Sequence, residues 1–336
     1  MSDSHPASSS ASDTSASVAP RNVVVLAGGI SHERDVSLRS GRRVADALIE
    51  RGHSVVLRDP DASLLPYLAE NRPDVIWPAL HGASGEDGAL RALLDMLAIP
   101  YVGAEAKAAR LAWQKPSSKI MVERAGLATP RWVTLPRDTF RELGATQVLS
   151  LVLDSFGPEV VVKPAMGGSA LGVGVLDSAD DLPRAVVDAY TYGEVALIEQ
   201  RVRGVEVSIG VLDLGEGPFA LPAVEIEPRS GVYSFEARYN AGETHFYAPA
   251  RLDEATAAAA REAALTIHST LGLRHISRID LIIDAAGTPW FLEANVLPGL
   301  TETSTVPQGI LAAGYSLGSV YEQLGEVAIA GASATA

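Results

Sequence analysis

Asp280, Glu293 and Asn295 fall in one stretch, Ser277–Thr301 (SRIDLIIDAAGTPWFLEANVLPGLT). It reads as two strands, RIDLIID and WFLEAN, around the glycine-containing turn AAGTP. Strand side chains alternate between faces. Arg278 and Asp280 therefore share one face of the first strand, and Glu293 and Asn295 share one face of the second. Their neighbours Leu281, Ile282, Ile283, Trp290, Phe291 and Leu292 are core material. A charge among such residues is costly unless paired or ligated. Two chemistries meet that need. One is an arginine–carboxylate salt bridge inside a sheet. The other is a set of hard oxygen ligands for Mg²⁺, which keeps waters and borrows phosphate oxygens. Both stay open on these residues alone.

Further residues fit a phosphate-handling site. Lys163 ends the strand EVVVK and leads into PAMGGSALGVGVL, where Gly167, Gly168, Gly172 and Gly174 surround Ser169. Glycines let backbone N–H groups approach an anion closely, although a plain hairpin has the same pattern. The order of residues is not that of a P-loop. Lys115 lies in a helical stretch, Ala104–Ala125, with a break expected at Pro116. Glu199 ends the strand ALIE, and Glu206 enters the next strand across a short connector. A connector backbone can read an adenine edge while a carboxylate takes ribose hydroxyls; either glutamate can equally be a surface charge.

The elements that must hold these groups follow from the pattern. Asn22–Ala27, Gly28–Gly29, a helix from about Arg34 to Arg51 and the strand His53–Arg58 form a β–Gly–α–β unit. Such units bind ligands where strand meets helix. A dinucleotide is one reading, but AGGISHER lacks the G-x-G-x-x-G spacing. Glu33 at the helix start is a dipole partner or an ammonium holder. A third strand, Asp74–Pro78, runs into HGASGEDG, placing His81 as a general acid/base or a hydrogen-bond donor. Gly88–Leu97 reads as helix and IPYVGA as a strand completing the unit. Ser230–Pro249 is long and aromatic, as expected of an ordered lid. Asp253 is placed to cap the Ala-rich helix 254–271, which Gly272 ends. A closing helix is expected over Tyr315–Ala328.

The totals narrow the function. The chain has 336 residues, net charge −14, and no cysteine. A nucleic-acid partner is disfavoured electrostatically, and disulfides and thiolate chemistry are excluded. No apolar run reaches membrane-span length. Residues 1–20 are Ser/Ala-rich without a signal-peptide core and read as a tail, so a cytoplasmic location is expected.

In this order the segments resemble the ATP-grasp superfamily and, within it, the D-alanine–D-alanine ligases. The motifs carrying the resemblance are AGGISHERDVSLRSG, HGASGEDG, KPAMGGSALGV, IEQRVRGVEVSIGVL, FEARYNAG, SRIDLIID and FLEANVLPGLTETSTVP. It runs from about Val23 to Ala328. It implies a mixed α/β fold: an N-terminal parallel-sheet substrate domain (21–113), then central (114–203) and C-terminal (204–336) domains that sandwich ATP, with lid 230–249. It implies that Lys115, Lys163, Ser169 and Arg238 contact phosphate. Glu199 and Glu206 would bind adenine and ribose, and Val202 would lend hinge backbone. Asp280, Glu293 and Asn295 would hold two Mg²⁺ or Mn²⁺ ions. Glu33 would bind the first ammonium group and His81 would lie near the first carboxylate. Ser304, with Thr305 beside it, would bind the second amino acid. Arg278 and backbone near Gly299 would stabilise the oxyanion. Ser169 and Tyr239 would complete a Glu–Ser–Tyr network with Glu33. A homodimer and a role in peptidoglycan precursor synthesis are implied too.

The sequence departs from the family pattern in three places. Arg238 stands where lysine is frequent. The loop GGSALG replaces a pattern closer to EGSSVG, so Ala170 lacks a hydroxyl. Thr305 stands where an apolar residue is commoner, which bears on the second substrate. Alternatives are a ligase using D-serine or D-lactate second, a nicotinamide oxidoreductase, or a non-catalytic nucleotide-binding shell. Tyr239 favours an amine over a D-lactate hydroxyl, because D-lactate-using members tend to carry Phe there.

Overall fold

The computed structural model describes residues 18–234, 237, 238, 240 and 242–335. Three sheets organise it. In the first, β1 (Asn22–Leu26), β2 (Ser54–Arg58) and β3 (Val75–Pro78) are parallel, in the order β2-β1-β3. Val23, Val24, Val25 and Leu26 are buried, as a central parallel strand covered on both faces must be. The expected strand IPYVGA is reduced to one bridge between Ile76 and Tyr101. Ile76 N–H donates to Pro100 O and Val102 N–H to Ile76 O. Pro100 has no N–H to extend the ladder, and Gly103 turns away at φ +104°.

The second sheet is antiparallel: β4 (Trp132–Pro136), β5 (Val160–Pro164), β6 (Gly174–Leu176) and β7 (Val195–Gln200), in the order β4-β7-β5-β6. Two helices unforeseen in the sequence reading, Arg137–Leu143 and Ala145–Phe156, follow β4. Leu149 and Val152 of the second of these join Val160, Val162, Val186 and Ile198 in one core.

The third sheet contains β8 (Val205–Asp213), β9 (Pro218–Ala220), β10 (Val224–Pro228), β11 (Thr244–Tyr247), β12 (Ile276–Ile283) and β13 (Pro289–Asn295). Its order is β11-β10-β8-β12-β13, with β9 on β8. The end of the expected lid is thus an edge strand, β11, because Thr244–Tyr247 pairs with β10. Asp253 caps the helix Glu254–Thr270 by accepting Thr256 N–H at 3.0 Å.

Two joints position the site. Helices Ala106–Trp113 and Lys115–Arg124 are separated at the extended residue Gln114. Pro116 falls in the first turn of the second helix, where a missing N–H costs nothing. This break makes Lys115 the leading residue of its helix. The last helix, Leu317–Thr335, packs back on the first sheet, with Tyr321 5.3 Å from Trp77 between ring centroids. Glu322 of that helix accepts from Arg51 at 2.5 Å and contacts His53 Nε2 at 3.0 Å. Among the described residues no helix is long and apolar enough to cross a membrane.

Candidate active site

β12 and β13 pair with Arg278 opposite Asn295 and Asp280 opposite Glu293, so all four side chains leave one face. Regular alternation from the buried Phe291 would send Glu293 into the core. The register slips between Asp280 and Leu281, where Leu281 pairs with Phe291. Leu292 is therefore a bulge residue, and both Leu292 and Glu293 turn to the site. This corrects the sequence reading of Leu292 and Ile282 as core: both line the cleft beside this face. Trp290 is half-buried and donates its indole N–H to Asp284 at 2.8 Å.

Arg278 grips Asp280 through Nε (2.9 Å) and Nη2 (2.8 Å), and Ser208 Oγ donates to the same carboxylate at 2.9 Å. Burial opposes the guanidinium charge, but Asp280 overrides it, and the Arg278 pKa lies above its ordinary value. Glu293 meets Lys115 Nζ at 3.1 Å. Partial burial pushes the Glu293 carboxyl up. Lys115, Lys163, Arg238 and Arg278 outweigh that and hold it down to about 2. Asn295 Oδ1 accepts Leu297 N–H at 2.8 Å. These oxygens lie on one side of a sheet facing a cleft. That fits a divalent ion whose remaining positions go to water and phosphate.

The cleft lies between the second and third sheets and holds a cavity of about 150 Å³. Val202, Glu206, Lys163 and Ala170 line it. Lys115 Nζ donates to Gly167 O at 2.5 Å, tying the glycine loop to β13 through Glu293. Ser169 and Ala170 adopt left-handed conformations at φ +50° and +57°, a costly choice for residues with a Cβ that shapes the loop between β5 and β6. Glu206 is half-buried, and burial pushes its carboxyl up to about 7. Glu199 is buried between two lysines, with Lys163 Nζ at 2.7 Å and Lys119 Nζ at 2.7 Å. Its carboxylate thus joins Lys163 of the cleft lining to Lys119 buried behind it. Arg238 stacks 4.2 Å over the Tyr233 ring, and its buried Nε has no hydrogen-bond partner among the described residues. Tyr239 lies outside the described residues.

A second cavity adjoins the cleft. Glu33, His81, Arg278, Gly299 and Ser304 line it. Ser169 Oγ–H donates to Glu33 Oε1, joining the glycine loop to the first sheet. Burial raises the Glu33 carboxyl, partly offset by that bond and by Arg238 and Arg278. Gly82 has φ +72°, and a Cβ there would come within 2.7 Å of Glu33 Oε2, so this turn requires glycine. His81 Nδ1 lies 3.1 Å from Leu297 O and Nε2 3.1 Å from Ser40 Oγ. A carbonyl only accepts, so Nδ1 carries the proton and Nε2 accepts from Ser40. Burial lowers the His81 pKa to about 4. The ring is a neutral strut between the first sheet and the 297–300 turn. Ser304 Oγ lies 2.9 Å from Thr301 Oγ1 and accepts Thr301 N–H at 3.1 Å.

The cleft and the second cavity are continuous, sharing Tyr233, Arg238 and Asp280 in their walls. A family model described as "D-ala D-ala ligase C-terminus" matches residues 121–326, and one described as "D-ala D-ala ligase N-terminus" matches residues 60–104. The chain belongs to the D-alanine–D-alanine ligase family. A D-alanine–D-alanine ligase of Anaeromyxobacter sp. (strain K) is 41% identical over 297 residues, covering 88% of this chain and 92% of the relative. One from Pelotomaculum thermopropionicum is 36% identical over 307 residues, covering 91% and 96%. Among solved structures, a D-alanine–D-alanine ligase from Bacillus anthracis superposes with TM-score 0.80 at 26% identity, covering 94% of this chain and 99% of that one. The VanG D-Ala:D-Ser ligase from Enterococcus faecalis gives TM-score 0.77 at 25% identity, covering 92% and 99%. The fold is thus the ATP-grasp fold of these ligases.

Two buried charged residues, one behind the cleft and one in the wall of the second cavity, escaped the sequence reading. Lys119 follows Lys115 by one helical turn and is 0% exposed; it also donates to Thr129 Oγ1 at 2.6 Å. Spacing of four on one helix face was the available signal. Glu86, in HGASGEDG, accepts Gly82 N–H at 2.9 Å. Burial, with Glu33 nearby, pushes its carboxyl up to about 8. Below the unfolded value of 4.5 both states hold this proton. Between 4.5 and about 8 only the folded chain does, so the group's stabilising contribution is lost as pH rises through that window. Glu86→Gln removes the effect. Urea unfolding at pH 5 and pH 8 is expected to show the variant gaining stability relative to the parent at the higher pH. An equal difference at both pH values contradicts a protonated Glu86.

Proposed function

We infer that this chain joins two D-alanine molecules into D-alanyl-D-alanine at the expense of ATP, supplying a peptidoglycan precursor. The observation that carries the reading is continuity: Tyr233, Arg238 and Asp280 line both the cleft and the pocket. A γ-phosphate and a substrate carboxylate therefore meet at one place.

The residues suit each step. A carboxylate is a poor acyl donor. Its oxygen attacks the γ-phosphorus, ADP leaves, and an acyl phosphate forms. Lys115, Lys163 and Arg238 surround the charge being moved, and Glu206 faces ribose hydroxyls beside the Val202 backbone. Glu199 holds Lys163 in place rather than meeting the nucleotide alone. A divalent cation, Mg²⁺ or Mn²⁺, held by Asp280, Glu293 and Asn295 would spread positive charge over the phosphate oxygens; two ions are proposed.

Glu33 takes the first substrate's ammonium group, with its carboxylate end toward Arg278 and the His81 strut. Ser304 takes the carboxylate of the second substrate. The second amine attacks the acyl carbon, and the oxyanion faces Arg278 and backbone near Gly299. Phosphate departs with the former carboxylate oxygen. The Ser169–Glu33 bond holds the glycine loop over this pocket, and Tyr239 is assigned to the same network. The lid keeps water from the acyl phosphate.

A homodimer and a cytoplasmic place of action belong to the same proposal; light scattering tests the first. The function is tested by incubating the protein with Mg-ATP and D-alanine and identifying products by mass spectrometry. ADP, phosphate and the dipeptide are expected in equal amounts. Phosphate release without dipeptide would remove the ligase reading.

A further inference from the structure

The Ser169–Glu33 bond is one part of the junction between the glycine loop and the first sheet. At the tip of the loop, Gly168 lies so close to Glu33 that a Cβ there would stand 3.3 Å from both carboxylate oxygens. At its exit, Gly172 sits at φ +69°, and a Cβ there would come within 2.7 Å of the Tyr192 ring. Tyr192 is thus packed directly on the loop backbone. The same ring meets His32, with centroids 6.2 Å apart and planes inclined at 78°, the edge-to-face arrangement that aromatic quadrupoles favour. His32 immediately precedes Glu33 in the chain. The short stretch before the helix Arg34–Glu50 therefore touches the loop's tip through Glu33 and its exit through His32 and Tyr192.

The helix Leu182–Tyr192 explains how Tyr192 comes to stand there. Tyr190 is buried in the core of the second sheet and donates its O–H to Leu135 O at 3.0 Å. Two residues further on, a helix has turned by about 200°. Tyr192 consequently leaves that core and is 44% exposed. His32 is exposed as well. Neither ring is needed to fill the core of its own sheet. Their contact spans two sheets that must stand together for the glycine loop to cover Glu33.

We propose that His32 and Tyr192 are positioning residues whose ring contact keeps the glycine loop closed over the first amino acid while the acyl phosphate waits for the second amine. The inference rests on the ligase reading above. Neither residue lines the cleft or the pocket, so the contact acts through the loop. Water that reaches the acyl carbon before the amine adds its oxygen there, phosphate leaves, and D-alanine is regenerated. ATP is then consumed without dipeptide.

The test reads the phosphate released in excess of dipeptide, per dipeptide formed, by the full chain with Mg-ATP and saturating D-alanine. That quantity does not depend on how much protein is active, so partial unfolding of a variant leaves it unmoved. One aromatic pair shifts a closed-to-open balance about two- to tenfold. His32→Ala and Tyr192→Ala are each expected to raise the excess over the parent's by about that factor. Tyr192→Phe and His32→Phe keep a ring on each side and are expected to match the parent. Removing both rings is expected to raise the excess no further than removing one. An excess unchanged in both alanine variants overturns this contact and leaves the ligase reading standing. A double variant whose effect is the product of the two singles does the same. A parent protein that releases phosphate and forms no dipeptide overturns the ligase reading and this inference with it.

Discussion

Glu293→Ala is expected to lower turnover on the order of 10³-fold or more while the protein stays folded. The side chain is 23% exposed and faces the cleft, so no core packing is lost. Four cations hold its carboxyl down to about 2, so it is an anion throughout the working range. Without it, Lys115 loses its partner, and the face shared by Asp280 and Asn295 loses one of its two carboxylates. Phosphate release under saturating D-alanine, set beside thermal unfolding, separates the outcomes. A folded variant that retains most of its turnover would remove Glu293 from the chemistry.

The second large effect belongs to Lys119. Glu199 is buried between Lys119 and Lys163, and burial alone would push its carboxyl up. The two lysines win and keep it below its ordinary value. Lys119 experiences the reverse: burial lowers its pKa to about 8 although Glu199 pulls upward. Removing Lys119 leaves Glu199 with Lys163 alone and takes the donor from Thr129 Oγ1, at a cost of at most about 3–5 kcal/mol. Lys119→Met is expected to show that loss in denaturant unfolding. It is also expected to raise KM for ATP, because Lys163 is drawn onto Glu199 and away from phosphate. Glu199→Gln placed on top of Lys119→Met is expected to cost further stability, because Lys163 then loses its partner, but the combined loss should differ from the sum of the single-variant losses. A strictly additive double variant would contradict the coupling.

The site was readable where local rules decide the structure. Alternation placed Arg278 with Asp280 and Glu293 with Asn295, and β12 and β13 put all four on one face. The Asp253 cap follows from residue type alone. What was hidden depends on tertiary partners. Nothing in WFLEAN marks Leu292 as a bulge, yet the bulge is what turns Glu293 out of the core. The edge strand Thr244–Tyr247 exists only because β10 is beside it. IPYVGA looks like a strand until Pro100 and Gly103 end its ladder. Glu86 and Lys119 look like surface charges in sequence. Both are buried because distant elements close over them, which no periodicity reports. Glu199 is a similar case: its position at a strand end was visible, but its two lysine partners come from other elements.

Activation of a carboxylate by phosphoryl transfer is the central claim, and one isotope measurement addresses it. D-Alanine carrying ¹⁸O in its carboxylate is supplied with Mg-ATP, and the released phosphate is examined by mass spectrometry. If an acyl phosphate forms and is then displaced by an amine, each phosphate carries one labelled oxygen and ADP is the other nucleotide product. Unlabelled phosphate, or AMP with pyrophosphate, would mean that the cleft and pocket do a different chemistry.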